Sequence, residues 1–147
     1  MIIREIQFGS EEFRRECELR QRVLRAPIGL NLYEENLDGE KEQFHFGLFD
    51  GQGKLVACVI AVALSPTRAK IRQMAVAPDQ QGKGCGRLLL ESVEATLARR
   101  GLMNLSMHAR KTAVGFYQAL GYATSGGEFT EVGLPHLTME KCLTAHP

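Results

Sequence analysis

The chain has no tryptophan, few prolines and only four cysteines. Cys17, Cys58, Cys85 and Cys142 stand far apart with no Cys-x-x-Cys pair, which argues against a zinc ribbon, a dithiol centre or a disulfide framework. A long apolar run is also missing. The longest, Leu55 to Leu64, falls short of the ~18 residues that a membrane span requires and has the length of a buried strand. The opening Met1-Ile-Ile-Arg-Glu lacks the basic-then-apolar layout of a secretion signal, so the expected compartment is the cytoplasm. Charge of one sign is not in excess either. The net charge is +1 and few aromatics lie among the basic residues, so neither a nucleic-acid surface nor a membrane partner is expected. No sequence cluster of His, Cys, Asp and Glu suggests a metal, and no nucleophile triad is visible.

At 147 residues, without repeat or linker, a single domain over 1–147 is expected. Ile2 to Phe8 reads as a strand, and Ser10 followed by Glu11 and Glu12 caps a helix running to about Leu24. The segment from Asn31 to Gln43 is polar and acidic. Phe44 to Phe49 and Leu55 to Leu64 flank Asp50-Gly51-Gln52-Gly53, a hairpin signal. Ala69 to Ala77 forms a further strand, and Leu89, Val93 and Leu97 make one helical stripe that ends before Gly101. Met103, Leu105, Met107 and Ala109 alternate with polar residues, the period of a half-buried strand. A helix from Thr112 ends at Gly121, and two strands close the chain around Gly133-Leu134-Pro135.

The most telling stretch runs from Gln73 to Leu90: a strand, a glycine-rich turn with Gly82, Gly84 and Gly86, and the start of a helix. Unpaired N–H groups at a helix N-terminus favour an anion, so the pattern reads either as a phosphate cradle or as an ordinary flexible turn. A Walker loop is excluded because Gly84, and no Ser or Thr, follows Gly82-Lys83. A dinucleotide fingerprint is excluded because its last glycine is missing. What remains is Gln81-x-x-Gly84-x-Gly86 after a strand that ends in Val76-Ala77-Pro78. Downstream stand Ala113, Phe116, Tyr117, Gly121 and Tyr122 in a second spaced group.

Together these two groups resemble the signatures of the GNAT superfamily of acyl-CoA-dependent N-acetyltransferases, and the ending from Phe129 to Lys141 is similar to its small bacterial ElaA-like members. Arg110 stands where many members carry Asn. The resemblance implies an α+β fold: a mixed, mostly antiparallel sheet of six to seven strands, a V-shaped splay between the central parallel pair, and helices on both faces. It implies acetyl-CoA as cosubstrate, a small-molecule or peptide amine as acceptor, and often a homodimer. Carried over, the main chain of Met74, Ala75 and Val76 would pair with pantetheine. The loop of Gln81, Gly82, Lys83, Gly84, Cys85, Gly86 and Arg87 would take the pyrophosphate, with Ala113 and Phe116 beside it.

In direct transfer the amine must lose a proton, and at pH 7 less than about a thousandth of a lysine-like amine is neutral. The leaving thiolate needs a proton donor. Tyr117 matches the family's general acid, although by periodicity it also reads as core. His136 and Glu131, beside the last hairpin turn, are the base candidates, with His108 and His45 behind them; each is also readable as structural. Cys85, at a helix N-terminus, is expected to be the most alkylatable thiol. The carboxylates from Glu34 to Glu42 read either as a solvated loop or as an attraction for a cationic acceptor. A non-catalytic acyl-CoA sensor is the alternative function.

Overall fold

A computed structural model describes residues 1–143; His146, the last of the four histidines, lies outside them. One seven-stranded sheet organises the chain, in the order β1-β2-β3-β4-β5-β7-β6. The strands are β1 (Ile2–Ile6), β2 (Phe44–Phe49), β3 (Leu55–Ala63), β4 (Arg68–Val76), β5 (Asn104–Arg110), β6 (Ala123–Glu131) and β7 (Leu134–Cys142). Every neighbouring pair is antiparallel except β4 and β5. Among the described residues no helix is long and apolar enough to cross a membrane.

Helix α1 (Glu11–Arg20) starts where the Ser10 hydroxyl accepts from the Phe13 N–H at 3.1 Å, with Glu11 and Glu12 in the first turn. It continues through a π-type turn, Gln21–Arg25, that carries Arg25 inward. Two short 3-10 turns, Leu32–Glu34 and Asp38–Glu42, make up the acidic segment. Helix α2 (Cys85–Arg99) presents Leu89, Leu90, Val93 and Leu97, all fully buried, to the larger core. Each such burial is worth about 1.5–3 kcal/mol, so this stripe anchors the helix over the sheet. Helix α3 (Val114–Ala119) sends Tyr117 into the same core. On the other face α1 packs Cys17 and Leu19 inward, and Leu19 joins Ile6, Phe49, Leu55 and Ala75 in a smaller core.

Two features position the site. The β4–β5 ladder pairs Arg68 with Asn104 through Ile71 with Met107 and stops there, although β4 runs on to Val76 and β5 to Arg110. Facing main-chain edges are left without ladder partners on each side of a wedge. The second feature is a β-bulge: between Cys58–Ala75 and Ile60–Arg72 the register gains one residue on β4, and Gln73 takes φ +57°. A non-glycine residue there costs about 1–2 kcal/mol. Arg20 Nε and Arg25 Nη2 donate to the Gln73 Oε1 at 3.3 and 3.4 Å and hold the bulge in place.

The closing hairpin departs from its expected position. Glu131 pairs with Leu134, so the loop is Val132-Gly133, both at positive φ, and Pro135 lies inside β7. That is sterically allowed because β7 pairs with β5 only from His136 onward.

Candidate active site

The glycine turn leads into α2 as a helix start without a side-chain cap. Gly84, at φ +83°, is the N-cap residue, and the first helical bond runs from the Leu88 N–H to the Gly84 carbonyl. The amides of Cys85, Gly86 and Arg87 therefore have no partner within the helix. A Cβ on Gly86 would come within 3.2 Å of Phe116 and 3.4 Å of both Met74 and Val76, so this turn lies flat against β4 and α3. The Gln81 side-chain amide donates to the Val76 carbonyl at 3.0 Å and ties the turn back to the strand. Lys83 is exposed, and Arg87 pairs with Glu91 along the exposed face of α2. Cys85 is buried and Cys142 is the exposed thiol, which corrects the expectation about alkylation: packing at the helix start covers the sulfur.

The wedge opens into a cleft of ≈390 Å³. Met74, Ala113 and Tyr117 line it, together with Lys70, Arg72, Gln73, His108, Arg110, Glu131, Val132 and His136. Tyr117 thus shares one cavity with Glu131 and His136 of the closing hairpin. Ala75 and Val76 face the two cores and offer this side their main chain.

The body of Tyr117 is buried and stacks edge-on against Phe116 and Tyr122. Its hydroxyl has no hydrogen-bond partner among the described residues, yet it is not sealed, because every fully enclosed side-chain oxygen or nitrogen there is partnered. Burial pushes the phenol up to about 12, against the pull of the Arg110 charge. Tyr122 differs: its hydroxyl donates to Glu94 at 2.7 Å, and Lys141 completes a structural trio.

Opposite lies a linked imidazole–carboxylate group. His108 Nδ1 is 2.9 Å from Glu131 Oε1, and His136 Nε2 is 3.7 Å from Glu131 Oε2. His136 is almost fully buried, and its Nδ1 donates to the Leu134 carbonyl at 2.9 Å, so Nε2 is the nitrogen free to take a proton. Partial burial raises the Glu131 carboxyl, but the hydrogen bond and charge of His108 outweigh it, and the net shift is downward. Glu131 is thus the anionic anchor for both imidazoles.

His45 belongs elsewhere. With Glu16, Arg20 and Glu40 it forms a buried network whose members do not line the cleft. Glu16, Glu40 and His45 lie within 4.8 Å of one another, the kind of grouping that can hold a metal. Arg20 donates to both carboxylates, however, and Arg72 reaches Glu40 at 3.2 Å, so the ligand-type atoms are committed to ion pairs. Glu35 pairs with Arg25 at 2.7 Å. None of the carboxylates from Glu34 to Glu42 lines the cleft.

Lys70, Arg72, Arg25 and Gln73 were absent from the candidates drawn from sequence. The Arg68, Lys70, Arg72 alternation along β4 was a readable sign of a basic strand face. Nothing in the local sequence marks the bulge at Gln73 or the inward turn of Arg25.

Comparison with known proteins agrees with this geometry. Residues 22–143 match the family model of the acetyltransferase (GNAT) domain. Escherichia coli ElaA superposes with a TM-score of 0.79 at 17% identity, over 96% of this chain and 99% of that one. An aminoglycoside 6'-N-acetyltransferase complexed with coenzyme A gives 0.79 at 17% identity, over 100% and 99%. At such identities the likeness is one of fold. The uncharacterised Bacillus subtilis (strain 168) protein YyaT is 34% identical over 73 residues, 50% of this chain and 49% of its own length. The matched stretch thus spans about half of that relative. With the family model covering most of the sequence and the splayed sheet beneath it, the chain belongs to the GNAT acetyltransferase family.

Proposed function

We propose that this protein moves the acetyl group of acetyl-CoA to a primary amine by direct attack. One observation carries the reading: the unbridged wedge between β4 and β5 opens on Tyr117 with its unpartnered hydroxyl, and Gly86, at the uncapped start of α2, lies against Met74 and Val76 of the same strand. In this reading the amides from Gly82 to Arg87 hold the pyrophosphate, and pantetheine lies along Met74, Ala75 and Val76 as an added strand. Gln81 shapes the turn through Val76. Phe116 and Ala113 form the apolar wall.

Tyr117 serves the departing sulfur. An ordinary thiol titrates near ~8.5, so full transfer from a phenol held at about 12 is uphill by about 5 kcal/mol. The phenol therefore donates a hydrogen bond to the developing thiolate, and proton transfer follows as burial of the sulfur in the filled cleft raises the thiolate's own proton affinity. On the acceptor side, His136 Nε2 takes the ammonium proton and Glu131 stabilises the imidazolium that forms; His108 keeps Glu131 ionised and oriented. A main-chain N–H of β4 polarises the thioester carbonyl.

Thiol release from acetyl-CoA with an amine panel, alongside calorimetry of coenzyme A binding, tests this. Tyr117→Phe is expected to lower kcat by about 10²–10⁴ and leave coenzyme A affinity near wild type. Tight coenzyme A binding without any tyrosine-dependent turnover would favour the sensor instead. No affinity for coenzyme A would remove both.

A further inference from the structure

We propose that the acceptor amine carries an oxyanion of its own, a carboxylate or a phosphate, and that Arg110 and Lys70 receive it. The assignment rests on the transferase reading above and adds the substrate class. It reverses the cationic acceptor suggested by the acidic segment, whose carboxylates are either bonded to Arg20, Arg25 and Arg72 or lie outside the cleft.

The cations that line the cleft divide into two groups. Arg25 and Arg72 have carboxylate partners, Glu35 and Glu40. Arg110 and Lys70 have no carboxylate within ion-pair distance among the described residues. Arg110 projects from the end of β5, and its Nη2 donates to the Leu24 carbonyl at 2.8 Å, which pins the guanidinium across the wedge. Its other N–H groups are left over, in a fork suited to a carboxylate or phosphate. Lys70 Nζ approaches His108 Nδ1 at 3.5 Å, but that nitrogen already faces Glu131, so the ammonium keeps most of its hydrogen-bonding capacity.

A half-buried guanidinium with only a neutral partner, set near a second one, is an unfavourable arrangement in the empty protein. Burial first, and then the like charge of Arg25, pull the Arg110 proton affinity down. An anion in the cleft relieves both. Glu131, the one carboxylate among the described residues that line the cavity, is engaged by His108 and His136. A polyamine would set its extra ammonium groups against Arg110 and Lys70. An amine with an adjacent oxyanion would instead place its nitrogen toward His136 and its negative charge toward the two free cations.

The test compares matched amines with the full chain, following coenzyme A release. α-Amino acids are set against their carboxamides, phosphoethanolamine against ethanolamine, and spermidine is added. The anionic member of a pair is expected to win by about ten- to a hundredfold in kcat/KM, the range for a hydrogen-bonded charge; which pair shows it tells carboxylate from phosphate. Arg110→Gln should collapse that ratio toward unity by raising KM for the anionic amine, Arg110→Lys should restore part of it, and Lys70→Met should shrink it. The ratio does not depend on how much of a variant is folded. Carboxamides, ethanolamine or spermidine used as well as the anionic amines would overturn the assignment and leave the transferase reading standing. So would an Arg110→Gln variant that loses coenzyme A affinity and all turnover in equal measure. A wild type that binds coenzyme A but acetylates nothing overturns both.

Discussion

His45 lies between two acceptors: its Nδ1 is 2.9 Å from a Glu16 carboxylate oxygen, and its Nε2 is 2.8 Å from the Glu40 carbonyl. The carbonyl has no proton to give, and a Glu16 carboxylate paired with Arg20 has none either, so both contacts are hydrogen bonds with the ring as the imidazolium. Burial works against that charge, but the bond and charge of Glu16 outweigh it, and the proton affinity of His45 is raised overall.

The sign of the pH effect follows. A group raised on folding contributes stability that is complete below its unfolded value, ~6.5 for histidine, and is lost as pH rises through the folded value. Denaturant unfolding at a series of pH values should show wild type losing stability on the alkaline side of that point. His45→Phe, which leaves Glu16 without this partner, should be less stable by about 3–5 kcal/mol at pH 6 and lack that slope. A slope unchanged in the variant would place the titration on another group.

For the reaction, kcat/KM is expected to show an acid limb where the proposed base gains its proton. The Glu131 carboxyl is held below its ordinary value by His108, so it stays ionised there and cannot be the source of the limb. His136→Gln should remove the limb and lower the rate by about 10²–10⁴. Glu131→Gln should also lower the rate, since His136 Nε2 loses the anionic oxygen 3.7 Å away. A limb still present in His136→Gln would point to His108.

The glycine turn makes two separable predictions. Gly84→Ala meets no neighbour, but it must hold φ +83° with a Cβ, which costs about 1–2 kcal/mol in unfolding free energy. Gly86→Ala keeps its dihedrals and instead presses on Phe116, Met74 and Val76. Coenzyme A calorimetry should find both weaker than wild type, while chemical denaturation should find the backbone penalty in Gly84→Ala.

Thiol titration of the native chain should find one fast-reacting cysteine, Cys142, and the four present in the sequence only after unfolding. Burial also pushes the Cys17 thiol up to about 11, which slows it further. Cys142→Ser should abolish the fast phase. Fast loss of Cys85 would contradict the packing over the helix start.

The elements that local chemistry specifies were legible in the sequence. The Leu89, Val93, Leu97 stripe, the Leu105, Met107, Ala109 alternation and the Asp50–Gly53 hairpin stand where their periods and turn residues put them. What stayed hidden depends on non-local pairing. Glu16, Glu40 and His45 come from α1, a 3-10 turn and β2, and nothing in their spacing foretells a shared buried network. The inward course of Arg25 follows from a π-type turn, and the bulge at Gln73 is held by arginines distant in sequence. Charge composition left two readings of the Glu34 to Glu42 segment open for the same reason: an acidic run says nothing about which of its members already have partners.

The short β4–β5 ladder has a further consequence. Four strands stand on one side of it and three on the other, and the main chain joins them at one end alone among the described residues, through the pairs from Arg68–Asn104 to Ile71–Met107 and the bonds of Met103 and Asn104 to the Thr67 carbonyl. Past Ile71 and Met107 the halves are held by side chains, such as Arg110 on the Leu24 carbonyl, and by the shared core. An extended molecule in that gap would supply main-chain partners to both edges, so filling the gap and completing the sheet across it would be one event.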